Sequence, residues 1–261
     1  MEKSKIEWTD YTWNPVTGCK HGCTYCYAER MSKRFCGDIR HNKVVADYSE
    51  HNGIFEIETE VVGRNGRSVI YPFGFAPTLH KNRLIKNCKP RMIKHSSTIF
   101  VCSTADLFGE WVPDDWIKQV FKICEENPIH RYLFLTKNPK RYIQLREKGM
   151  LPDENNMWYG TTITSPKEAF IYSCSGKHNT YISIEPILEP FTKYEDMIAA
   201  DWVIVGAETG NRKGKVVPEK EWISDIVDKC LFSEIPVFLK NNLASIWNDT
   251  LIQEFPWSND K

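Results

Sequence analysis

From residue 98 to residue 240, short apolar runs alternate with stretches of helical periodicity, and few folds accommodate that alternation. The runs are "TIFVC", "RYLFL", "MWYGT", "TYISI", "DWVIVG" and "PVFLK", all rich in β-branched and aromatic residues. Asn138-Pro139 and Ser165-Pro166 read as a cap followed by proline at the first helical position. Gly149 stands where "KRYIQLREKG" should stop. In "PEKEWISDIVDKCL", Trp222, Ile223, Ile226, Val227 and Cys230 fall on one helical face. Alternating strands and helices imply an α/β fold with a parallel sheet and crossover helices. With "IEW" and a strand near "VIYPFGF" the strand count approaches eight. A (β/α) barrel of TIM type, complete or partial, is therefore expected over 1–261, with an open doubly wound sheet as the alternative.

Residues 37–75 break the rhythm. "IFEIETEVVGRNGRSVIYPFGF" reads as two strand-like runs around Asn65-Gly66, a β-hairpin insertion carried on the barrel. An apolar fraction of 41% and a mean hydropathy of −0.45 describe a water-soluble chain with material for a large core. No apolar run approaches a membrane span, and "MEKSKIEWTDYTW" lacks the apolar block of a signal peptide, so a cytoplasmic address is expected. Net charge is zero, so any attraction for nucleic acid must come from local patches.

The expected strands end in polar residues: Ser103 to Asp106, Thr136 to Asn138, Gly160 to Thr162, Ser183 to Pro186, Gly206 to Gly210, and Lys240 to Asn242. Helix caps and loop starts use the same residue types, which accounts for many of them. A charge at a strand end is costly if buried and unpaired, so Asp106, Lys137, Glu185, Glu208 and Lys240 are candidates for one polar site.

Nine cysteines without an export signal argue against a disulfide framework. Cys102 and Cys124 lie on apolar faces and read as small buried residues. Cys19, Cys23 and Cys26 crowd into "WNPVTGCKHGCTYCYAERMSKRF" with the spacing C-x3-C-x2-C. A structural zinc site would want a fourth ligand, for which His21 and Cys36 are the nearest candidates. A redox dithiol needs only Cys23 and Cys26, and a ferredoxin-type carrier wants four cysteines. A [4Fe-4S] cluster on three thiolates would leave one iron open for a substrate or cofactor.

The spacing, with Tyr25 as the aromatic before the last cysteine, resembles the radical S-adenosylmethionine superfamily. The resemblance implies that the open iron chelates S-adenosylmethionine and that the reduced cluster cleaves it to a 5′-deoxyadenosyl radical, with an electron donor such as flavodoxin or ferredoxin. It implies adenine contact at Tyr27, with Tyr25 also at the cofactor site. It leaves the amino contact to Ser103–Asp106 or Glu208, and the ribose and carboxylate contacts to Thr104, Lys137, Thr162 and Glu185. The strand-end charges Asp106, Lys137, Glu185 and Lys240 are the candidate catalytic residues. "IEWTDYTWNPVTGC", "CSTADLFGEWVP", "LTKNPKR", "SIEPIL" and "DWVIVGAETG" also resemble, in order, a phage- and bacterium-associated family of unknown function.

Basic residues cluster at Lys137, Lys140 and Arg141, at Arg212, Lys213 and Lys215, and from His80 to His95. Trp8, Trp13, Tyr25, Trp158 and Tyr159 could stack on bases. Together they point to a nucleotide or nucleic-acid substrate, for modification or photoproduct-lyase-like repair. A peptide or small metabolite, or a non-catalytic metal module that binds nucleic acid, are the alternatives.

Overall fold

The apolar runs become strands of one sheet in a computed structural model that describes residues 3–85, 88–168, 178–192 and 200–257. In chain order the strands are β1 (Tyr11–Trp13), β2 (Val16–Thr17), β3 (Tyr48–His51), β4 (Ile54–Ile57), β5 (Thr78–His80), β6 (Thr98–Val101), β7 (Arg131–Thr136), β8 (Met157–Thr162), β9 (Asn179–Ile184), β10 (Val203–Val205) and β11 (Val237–Leu239). Helices follow as α1 (Tyr27–Phe35), α2 (Ile39–Val45), α3 (Lys89–Met92), α4 (Asp114–Glu125), α5 (Lys140–Glu147), α6 (Lys220–Phe232) and α7 (Ala244–Trp247). The main sheet has the order β1-β6-β7-β8-β9-β10-β11, and a smaller sheet has the order β2-β5-β4-β3.

Pairings described in the main sheet are parallel, with Trp13 opposite Val101 and Val205 opposite Leu239. Its strands are buried along nearly their whole length, as parallel strands covered on both faces must be. All six runs from residue 98 onward are strands. Of the complete or partial barrel expected, the partial form stands: seven strands join in an open, half-barrel order with β1 and β11 at its ends, and a complete barrel is not formed. "IEW" is not a strand, because Trp8 is buried edge-on against Trp202, centroids 6.4 Å apart. Its place is taken by β1. No strand forms at "VIYPFGF" either; the next strand is β5.

The hairpin is also moved. β3 and β4 pair antiparallel about Asn52 and Gly53, both with positive φ, as a tight two-residue turn requires. Asn65-Gly66 makes a turn closed by a single Val62–Ser68 bridge. Phe55, Ile57, Val61, Val69 and Phe73 form a small core there, with Phe55 stacked on Phe73 at 4.2 Å. Tyr48 of β3 packs against both rings, at 5.9 Å from Phe55 and 4.9 Å from Phe73.

Two compact units emerge: Met1–Ser4 with Thr9–Phe134, and Lys5–Trp8 with Leu135–Lys261. In the first, α4 buries Trp116, Ile117, Val120, Phe121 and Cys124. In the second, α6 buries Ile223, Ile226, Val227 and Cys230, while Trp222 stays half-exposed. Gly149 adopts φ +66 and returns its N–H to Arg146, the expected helix stop. A helix expected after Ser165-Pro166 lies outside the described residues. Among the described residues, no helix is long and apolar enough to cross a membrane.

Candidate functional site

In the first unit, β1 belongs to the large sheet and β2 to the small one, and the cysteine loop follows directly. Gly18 donates to Thr104 O at 3.0 Å and Cys19 N to Phe75 O at 3.1 Å, tying the loop to two distant segments. Gly18 has φ +84, and a Cβ there would lie 2.3 Å from Ala76 O, so only glycine fits. Cys26 caps α1, its sulfur accepting Glu29 N–H at 3.4 Å. Cys19 Sγ accepts His21 N–H at 3.5 Å.

Cys19, Cys23 and Cys26 are free and half-buried. Burial pushes the Cys19 thiol up to about 12, opposed by its His21 N–H bond, while Asp106, Cys23 and Cys26 push it further. Burial likewise raises Cys26, with Cys23 adding to the rise. The three sulfurs therefore feel one another, and a cation among them would relieve what burial costs the thiolates. Two already accept backbone N–H groups, as cluster sulfurs do. Three thiols are donors of the kind a thiolate-held metal group uses, but their side chains are not drawn together around one metal position among the described residues. Cys88, Cys102, Cys124 and Cys230 are buried and their thiols raised by burial, so they are core residues. Cys174 lies outside the described residues.

His21, between the first two cysteines, bonds through Nε2 to Asp106 Oδ2 at 2.7 Å and packs edge-on against Trp111 at 4.9 Å. The other oxygen of buried Asp106 accepts Phe108 N–H at 2.9 Å. Exposed Tyr27 donates its hydroxyl to Ser103 O at 2.6 Å, and Ser103 Oγ bonds Asn14 Oδ1 at 3.1 Å. Thr104 is buried and Tyr25 half-exposed. Cys19, Cys23, Cys26, Tyr27, Ser103, Thr104 and Asp106 are thus gathered at the ends of β2 and β6. The His21–Asp106 pair was not legible as a pair in the sequence.

The second unit brings together a different set. Lys240 Nζ lies 2.7 Å from Glu185 Oε1 and 3.7 Å from Glu7 Oε2. Burial alone would lower this lysine, but the Glu185 and then the Glu7 carboxylate outweigh it and raise it, so Lys240 is a firmly held cation. Ser183 Oγ donates to Glu185 Oε2 at 2.9 Å. A Cβ on Gly206 would lie 2.9 Å from Lys240 Cδ and 3.0 Å from Glu185 Oε1, so that glycine makes room for the pair. Glu7 lies in the segment read as a strand, and nothing in its pattern marked it. Buried Glu208 is gripped by Arg212 through both oxygens, at 2.7 and 2.8 Å, which lowers its carboxyl. Both Glu208 oxygens are thus engaged by Arg212, four residues on. Lys137 and Thr162 are half-buried at the ends of β7 and β8.

Two expectations are corrected by burial. Trp8, Trp13, Trp158 and Tyr159 are core residues and offer no stacking face. Much of the basic stretch from His80 to His95 is bonded internally: Lys81 pairs with Glu56 and Glu58, Arg91 with Glu126, and Lys89 donates to Thr12 O, while Arg83 donates to backbone at Asn14 O. Lys86 lies outside the described residues. Lys140, Lys213 and Lys215 are exposed.

No curated protein and no solved structure matches the chain. A family profile described as "Protein of unknown function (DUF5131)" matches residues 3–248. The resemblance to the radical S-adenosylmethionine superfamily is corrected by these findings. The matching family has no assigned function, the sheet is open, and the described residues hold no group of three or more His, Cys, Asp or Glu side chains arranged to hold a metal ion. Cysteine spacing reports which thiols are near one another in sequence, and that alone does not place a chain in a superfamily. With 3–248 matched, the chain belongs to the DUF5131 family of proteins of unknown function.

Proposed function

We propose that the chain is an iron–sulfur enzyme in which Cys19, Cys23 and Cys26 hold a [4Fe-4S] cluster whose open iron receives S-adenosylmethionine. The observation that carries this reading is the sulfur environment: three half-buried free thiols within electrostatic reach, two of them accepting backbone N–H groups. When bound, such a cluster would supply the electron that cleaves the cofactor's sulfonium bond. The chain's own residues supply position. Gly18 and Cys19 pin the loop through backbone bonds, Asp106 holds His21 between the first two cysteines, and Tyr27 ties the start of α1 to Ser103. Lys240 keeps its proton at Nζ beside Glu185.

An electron donor of the flavodoxin or ferredoxin kind would reduce the cluster. A nucleotide or nucleic-acid base is the substrate we favour, supported by exposed Lys140, Lys213 and Lys215 beside strand ends. The test is anaerobic reconstitution followed by dithionite reduction with S-adenosylmethionine, with and without a DNA oligonucleotide. Expected are about four irons per chain and release of 5′-deoxyadenosine, both lost in Cys23→Ala and kept in Cys88→Ala. A full iron complement in Cys23→Ala would remove the ligand assignment. A reducible cluster that releases no 5′-deoxyadenosine would leave a non-catalytic metal module.

A further inference from the structure

Arg83 closes a 3-10 turn at Lys81–Arg83 and is held in place by backbone on two sides. Its Nη1 donates to Asn14 O at 2.7 Å, and its own carbonyl accepts Trp13 Nε1 at 3.1 Å. No ion pair of Arg83 exists among the described residues. The carboxylate whose field reaches it, Glu60, accepts a hydrogen bond from Ser68 instead. Burial pushes the guanidinium down to about 10, the mark of a cation whose lost hydration is not replaced.

Two buried hydroxyls lie nearby: the Arg83 charge reaches Tyr71, and Thr104 is adjacent to Tyr71. Tyr71 is 1% exposed and Thr104 is 8% exposed; their hydroxyls lie adjacent, and beyond each other neither finds a hydrogen-bond partner among the described residues. Burial raises the Tyr71 phenol; the adjacent Thr104 hydroxyl and the Arg83 charge oppose that rise, and Cys26 adds to it. Ser103, beside Thr104, bonds the same Asn14 that Arg83 bonds. A guanidinium and two adjacent hydroxyls thus lie next to the cysteine loop with no carboxylate bonded to any of them among the described residues. Buried donors left unmade are costly, and native proteins rarely keep them without a reason. A water could satisfy the hydroxyls but not the charge.

We infer that Arg83, Tyr71 and Thr104 form an anion site that takes a phosphate or carboxylate group beside Cys26. The guanidinium supplies the planar fork that such oxygens match, and the two hydroxyls donate to the remaining lone pairs. The site would fix the anionic end of a substrate or cofactor against the cysteine loop. It stands on these three residues and does not require the cluster.

The test uses the full chain without metal, titrated calorimetrically with inorganic phosphate and, separately, with malonate. Saturable binding of either is expected, weakened about tenfold or more in Arg83→Gln and severalfold in Tyr71→Phe. Phosphate alone would identify a nucleotide-like group, and malonate alone a carboxylate. Should Arg83→Gln fail to fold, Tyr71→Phe decides, since it removes a single oxygen. Absence of saturable binding by both anions, or affinity unchanged in the variants, overturns the site. Failure of the iron test with success here would separate this inference from the proposed enzyme.

Discussion

Replacing Gly18 with alanine tests whether the cysteine loop is fixed by backbone contact. Gly18 has φ +84, and an added Cβ would lie 2.3 Å from Ala76 O, 2.5 Å from its carbonyl carbon and 2.7 Å from Phe75 O. All three atoms are backbone, so no rotamer change relieves the clash. The left-handed conformation costs alanine about 1 kcal/mol. The shift forced by the clash would break Gly18 N–Thr104 O and Cys19 N–Phe75 O, at about 1 kcal/mol each. The expected loss is about 3 kcal/mol, or a fall of about 1 M in the urea midpoint at a typical slope. Gly22 provides the control: it has φ +68 with nothing within 4 Å of an added Cβ, so Gly22→Ala should lose only about 1 kcal/mol. Urea denaturation followed by tryptophan fluorescence compares the two. Equal losses would refute the clash, leaving only backbone strain.

Lys240→Met leaves Glu185 and Glu7 facing each other without their cation, and should cost about 2–4 kcal/mol in urea denaturation. Lys240→Met combined with Glu185→Gln should recover part of that loss; no recovery would show that the pair is not coupled. His80 is 2% exposed and bonds Thr17 Oγ1 at 2.8 Å, with burial first and the Arg83 charge second holding its pKa well below the ordinary 6.5. The unfolded chain therefore takes up a proton that the folded chain refuses. This contribution to stability is complete above the unfolded value and is lost as pH falls below about 6.5 toward the folded one. The slope should diminish in His80→Gln, and an unchanged melting profile between pH 7 and 5 would show that His80 does not couple to folding.

The six apolar runs, the helix stop at Gly149 and the buried face of α6 were legible because each depends on local periodicity or on one backbone angle. So was the burial of Cys102 and Cys124. "IEW" failed as a strand because Trp8 gains more by packing against Trp202 than by pairing. The hairpin lies at β3 and β4, where Tyr48 of β3 packs on Phe55 of β4 and both rings meet Phe73 from a later loop, a contact that pattern along the chain does not record. Trp8, Trp13, Trp158 and Tyr159 as stacking faces, and much of the basic stretch as a free patch, failed for one reason. Residue type does not say whether a ring or a cation will find its partner inside the protein.

The amino-acid sequence by itself determined the strand-and-helix alternation, the parallel pairing it demands, and the crowding of three thiols within eight residues. Those properties follow from neighbours along the chain. The tertiary structure alone decided that the sheet stays open and that His21 meets Asp106, 85 residues away. It also decided that Arg83 meets Asn14, 69 residues away, without meeting a carboxylate. Partnerships over such separations depend on which segments the core brings together, and pattern along the chain carries no record of that.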